Sequence, residues 1–89
     1  MTEKTVYRNV LWSYEEILHA ISGKPLSNAD IVRKSEYLKS PEVSKYSKQL
    51  IEMKAIKEKE RDWAPLKIAP KGREMLRLLR ALHKLMEEE

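Results

Sequence analysis

A mainly helical fold with one small β-hairpin is what the sequence predicts, and three observations predict it. Apolar residues recur at helical spacing in four separate stretches, two of them opened by a serine and an acidic residue three places on. Between residues 56 and 68 that period gives way to a charged run, a proline-containing turn and a Leu66/Ile68 alternation. With 89 residues and no cysteine, the chain has room for one modest core and no disulfide to support it.

The first helical signal runs to Ile21. Ser13 and Glu16 fit a capping box, and Leu11, Tyr14, Leu18 and Ile21 fall on one stripe with Ile17 beside them. Val6 and Val10 can extend that stripe backwards, and Trp12 serves either the core or a partner surface. Ser22-Gly23 ends the helix, and Lys24-Pro25 prevents continuation. A short second helix starts at Ser27, paired with Asp30, and reaches Lys34 with Ala29, Ile31 and Val32 as its apolar face. A connection follows in which Leu38 plugs the core.

Ser40 is the expected cap of the third helix, with Pro41 in the first turn, where its missing N–H costs nothing. Val43, Tyr46 or Ser47, Leu50 and Met53 make the inner side; Ser44, Lys45, Lys48 and Glu52 make the outer one. Leu66 and Ile68 predict a two-stranded ribbon, which persists only when packed on helices, through Ile56, Trp63, Leu66 and Ile68. The last helix begins near Pro70 or Lys71. Met75, Leu78, Leu79, Leu82, Leu85 and Met86 form a broad apolar stripe, and Arg73, Arg77, Arg80 and Lys84 cover much of the other side. So much apolar surface on one helix of a small domain predicts a homodimer seam.

Composition narrows the function. Without cysteine there is no thiolate nucleophile and no zinc ribbon, and His19 and His83 have no paired ligands at metal-site spacing, so neither metal nor cofactor is expected. Two glycines leave no phosphate-binding glycine loop, and the acidic residues are read as solvation and ion pairing rather than an enzyme site. The apolar runs are too short for a membrane span, and the N-terminus lacks a signal peptide's apolar stretch, so a cytoplasmic location is expected. The formal net charge is +4, and residues 24–54 alone carry +3. That concentration is compatible with a nucleic-acid partner.

Helix, short helix, polar-faced helix, hairpin and long helix is an order that resembles the winged helix-turn-helix superfamily, particularly small regulators of the MarR and PadR kinds and related plasmid-segregation adaptors. "LSNADIVRKSEYLKSPEVSKYSKQLIEMKAIK" looks like a positioning helix followed by a recognition helix, and "LKIAPKGREML" like the last wing strand entering the C-terminal helix. Relatives often have a hydroxyl residue before the Lys-Gly pair, where this chain has Ala69-Pro70. The resemblance implies one domain over 1–89, with a helix-turn-helix at 27–53, a wing at 56–68 and a dimerisation helix at 70–88. It implies a DNA-associated homodimer on double-stranded DNA, built by terminal helices and including Val10, Leu11 and Trp12.

On that reading the third helix enters the major groove. Ser44 is short enough for close approach, Lys45 and Lys48 reach guanine acceptors or phosphates, and Gln49 reads adenine or flanks the core. Ser40 both caps the helix and leaves N–H groups for a phosphate, while Glu42 accepts from a cytosine amine or faces solvent. Lys24, Lys34, Lys39 and Lys54 surround this helix as phosphate contacts, and Lys57, Lys59 and Arg61 form a cationic wing strip. The expected function is a non-enzymatic dimeric transcriptional regulator. A DNA-spreading partition or chromatin-organising adaptor, with higher-order assembly on DNA, and a winged-helix protein-interaction module are the alternatives.

Overall fold

The computed structural model describes residues 11–35, 38–61 and 64–87. They form four helices: α1 (Ser13–Ser22), α2 (Asn28–Lys34), α3 (Ser40–Glu52) and α4 (Pro70–Glu87). α1 is central, packing on α2, α3 and α4, and α2 also packs on α3. The core joins Ile17, Leu18 and Ile21 of α1 to Ile31, Val43 and Leu50, with Leu38 and Leu66 entering from the connections and Leu76 and Leu79 from α4. Burying each such side chain contributes about 1.5–3 kcal/mol, so this cluster dominates the stability of the fold.

The expected wing does not form among the described residues. Among the described residues there is no strand and no hairpin, only two isolated antiparallel bridges, Leu26 with Leu66 and Ile56 with Ile68. The fold is all-helical, which overturns the helix-plus-hairpin class and the winged helix-turn-helix, MarR/PadR-like and plasmid-segregation resemblance. The transcriptional-regulator, DNA-spreading adaptor and winged-helix interaction readings, which depended on that architecture, fall with it.

The physical reason lies in the partners available to residues 66–68. Leu66 exchanges two backbone hydrogen bonds with Leu26 (3.3 and 2.7 Å), whereas Lys57 N–H bonds Lys67 O at 2.8 Å and Ala69 N–H bonds Ala55 O at 3.0 Å. The segment is thus clasped on two sides, one residue deep on each. Pro25 and Pro65 stand immediately before Leu26 and Leu66 and bring no N–H to extend that pairing. Ser27, on the other side of Leu26, already caps α2. The Lys57–Arg61 run has charges at every position and so no apolar face to hold a ribbon down.

Local chemistry explains the helix ends. Ser27 and Asp30 form a full capping box at α2, the Ser27 hydroxyl accepting from Asp30 N–H at 3.2 Å. α3 starts one residue earlier than its serine suggests. Lys39 occupies the N-cap position, and Glu42 reaches back to accept from its N–H at 3.0 Å, so Ser40 is the first helical residue rather than the cap. At α1 the N-cap position falls on Trp12, which already has helical backbone angles, and Ser13 is the buried first residue of the helix. α4 opens on Pro70, whose fixed φ suits the first helical position.

Two backbone positions hold the junction between α3 and α4. Lys54 has φ 70°, the left-handed conformation that follows a helix end. Its N–H bonds Ile51 O and that of Ala55 bonds Leu50 O, the paired bonds of a Schellman motif with lysine in the seat that glycine prefers. Gly72 lies against the same junction. A Cβ there would stand 2.0 Å from Ala55 O and 2.8 Å from Ile68 Cγ1, so only glycine lets α4 approach this closely.

Candidate interaction surfaces

The outer side of α3 carries Ser44, Lys45 and Lys48, all exposed, while Val43, Ser47 and Leu50 hold its inner side in the core. Among the described residues no carboxylate lies within ion-pair distance of Lys45 or Lys48, and the Lys45 ammonium stands 5.6 Å from the centre of the Tyr46 ring. Asn28 Nδ2, at the start of α2, donates to Ser44 Oγ at 3.4 Å and ties the two helices at the middle of this face. Ser47, which the spacing left level with Tyr46, is the buried member and donates to Ser44 O at 3.3 Å.

Gln49 belongs to the interior side of this helix. Its Oε1 accepts from the Tyr14 hydroxyl at 2.5 Å, and the Tyr14 and Tyr46 rings meet edge to face at 5.7 Å. Burial, and then the neighbouring Tyr46, push the Tyr14 hydroxyl above its ordinary pKa. Glu42 is exposed but occupied by the Lys39 N–H, and Lys39 itself is exposed at the helix start.

The remaining expected phosphate contacts do not gather around α3. Lys24 and Lys34 line an open cleft of 710 Å³ between the end of α1 and α2, whose walls include no α3 residue. Lys54 serves the helix-ending turn. Lys57, Lys59 and Arg61 lie in the connection between α3 and α4, where the described residues form no strand that would set them on one side.

α4 divides the expected dimer residues in two. Leu79 is buried in the chain's own core, Met75 is half-buried, and Leu11 and Trp12 are half-buried at the start of α1. The Trp12 ring stacks on His83 of α4 at 4.4 Å, and His83 Nδ1 lies 3.1 Å from Glu15 Oε1 while its Nε2 lies 2.9 Å from Glu87 Oε2. The Trp12 and Glu15 contacts join the start of α1 to α4 within one chain, and the Glu87 contact stays within α4. The exposed set is Leu78 at 54%, Leu82 at 37%, Leu85 at 65% and Met86 at 38%. Val10 and Trp63 lie outside the described residues.

Sequence reasoning missed the arginines of α4. Arg73 donates to Ser22 O at 3.4 Å, closing the end of α1, and the Arg80 guanidinium bonds His19 Nδ1. Their helical spacing was visible, but nothing local in the sequence pairs them with residues some fifty or sixty positions earlier. No described helix is long and apolar enough to cross a membrane. Comparison with protein-family models, with curated proteins and with solved structures finds no match.

Proposed function

We propose that the chain is a homodimerising helical module whose seam is the outer face of α4. The observation that carries this is the exposure of Leu78, Leu82, Leu85 and Met86 on one helix of a protein whose other described large aliphatic side chains are buried or half-buried. Met75, Leu78, Leu82 and Leu85 follow one another at intervals of three, four and three residues, the spacing of a two-helix seam. That series is symmetric about position 80. Two copies running antiparallel would set Leu78 against the second copy's Leu82, and Met75 against its Leu85, in a self-complementary interface.

Charge favours the same direction. α4 begins with Lys71 and Arg73 and ends at Glu87, with two more glutamates following in the sequence. An antiparallel pair brings each basic start to an acidic end; a parallel pair sets like against like. Sedimentation equilibrium tests the dimer against the 10.5 kDa chain mass. Because the protein has no cysteine, direction can be tested by oxidising a mixture of Met75→Cys and Leu85→Cys chains. Mixed 75–85 crosslinks are expected. Preferential 85–85 crosslinking would reverse the arrangement, and a monomer at all concentrations would remove it.

A second reading concerns a partner for the dimer. Lys45 and Lys48, exposed beside the small Ser44 and unpaired with any described carboxylate, favour double-stranded DNA held by its phosphates. This is charge contact along a helix, with no wing and no regulatory role attached. In a salt series, Lys45→Ala with Lys48→Ala should lower the slope of log affinity against log salt by about 2. An unchanged slope in the folded double variant would sink this partner.

A further inference from the structure

Two open clefts share one edge, Ser22. The larger, of 710 Å³, brings together His19, Gly23, Lys24 and Lys34 from the end of α1 and from α2; the smaller, of 330 Å³, presents Arg73, Arg77 and Arg80 of α4. Five permanent cations therefore border two adjoining depressions, in a chain whose whole formal charge is +4, and the Arg80 guanidinium bonds His19 Nδ1 across their shared edge. Two carboxylates stand nearby: Glu16 in the larger cleft, and Glu74, which pairs with Arg77.

Part of this charge has a structural cause. The carbonyls that end α1 form the negative pole of a helix dipole, and Arg73 donates to one of them, Ser22 O, at 3.4 Å. That pole amounts to about half an elementary charge, far less than the excess around it. Shape also matters. The floor is closed by the buried Ile31 and Leu76, and nothing stands within 4 Å of where a Gly23 side chain would begin, so a ligand can reach the backbone.

We propose that the joined clefts bind an oligophosphate, a chain of two or three linked phosphate groups, free or carried by a nucleoside. A single phosphate would meet the lysines of one cleft or the arginines of the other; a linked chain crossing Ser22 meets both. The concavity favours a small ligand, since the larger cleft falls in the range of about 300–1,000 Å³ typical of small-molecule sites. A duplex instead requires a projecting surface such as the outer face of α3. Lys24 and Lys34 thereby acquire a role separate from Lys45 and Lys48, and the site is complete within one chain whether or not α4 forms a dimer.

Titrating the full chain with sodium tripolyphosphate, followed by backbone amide NMR, tests the site. Saturable shifts are expected at residues 19–24 and 34–35 and in the first three turns of α4. Lys24→Gln with Lys34→Gln should weaken binding by at least about tenfold, and Arg77→Gln by about threefold, from the strength of charge-assisted contacts. Neither lysine has a hydrogen bond or ion pair to a described residue, so the variants should keep the parent circular dichroism. Lys45→Ala with Lys48→Ala should bind as the parent does. ATP binding more tightly than tripolyphosphate assigns a nucleoside-borne chain, and equal binding assigns the free chain. Non-saturating shifts spread over all surface lysines, equal weakening by the α3 variants, or preferential occupation of these residues by duplex DNA would each overturn the proposal.

Discussion

The two halves of α4 make opposite uses of one helix. From Gly72 to Leu79 it is locked to the molecule: Gly72 rests on Ala55 O and Ile68, and Leu76 and Leu79 enter the core. From Leu82 to Glu87 its leucine and methionine side chains stand out, and contact with α1 is carried by one aromatic and ionic group, His83 with Trp12 and Glu15. The inner half places the helix and offers only Leu78 and the half-buried Met75 to a partner; the outer half offers the rest. The lesson is that an apolar residue on this helix cannot be assigned to core or seam by hydrophobicity, only by where the helix is pinned.

The sharpest way to break the contrast is Gly72→Ala. A methyl driven against Ala55 O should cost about 3 kcal/mol, read as a lower urea midpoint with an unchanged slope. Near-parent stability would mean that the inner half is not pinned there. Next comes Leu82→Lys with Leu85→Lys. Each protomer should lose less than about 0.5 kcal/mol of stability, since both positions are exposed, while self-association in the ultracentrifuge weakens by about a hundredfold. Loss of the fold itself would show that the outer half supports the protomer.

Smaller effects sharpen the account of the helix ends. Lys54→Gly removes the strain of a side chain at φ 70° and should raise stability by about 0.5–1 kcal/mol despite the added freedom of the unfolded chain. A decrease would mean that the lysine side chain contributes a contact of its own. The smallest concerns Asp30. Hydrogen bonds from Ser27, first its side chain and then its backbone N–H, hold the Asp30 carboxyl below its ordinary value of 3.8, and Arg33 adds to the effect. Its stabilising contribution is therefore complete above pH 3.8 and disappears as pH falls through the depressed value. Asp30→Asn should flatten the acid limb of the stability curve, and an unaltered limb would count against the capping box.

Where the sequence was legible, the cause was local. Ser27 and Asp30 are three residues apart, and the structure uses them for the cap their spacing suggests. Pro70 before Gly72 marks a helix start by backbone chemistry alone. The Ser40 reading missed by one position because Glu42 satisfies the Lys39 N–H instead, a choice between two neighbouring arrangements of nearly equal quality. Ser13 was misleading because the helix backbone already runs through Trp12.

The hairpin was misread for a non-local reason. Leu66 does face inward, but its pairing partner is Leu26, forty residues earlier, in a stretch that reads as a loop. Alternation reports which side chains point inward and not which backbone they meet. The candidate sites show the same division. The exposure of Ser44, Lys45 and Lys48 follows from helical period. The Tyr14–Gln49 bond and the gathering of Arg73, Arg77 and Arg80 near Lys24 depend on how separate helices pack.

The Leu26–Leu66 bridge also bears on how the chain reaches its fold. Helices of this length can form in isolation only fleetingly, and α2, with seven residues, is among the least able to persist. Its entry is fixed when Leu66 bonds Leu26, a contact that closes a forty-residue loop. Local turns can therefore form and dissolve quickly before that closure, and the closure of the clasp is the step expected to limit folding. Weakening the clasp should leave each helix's sequence untouched and yet lower the folding rate of them all.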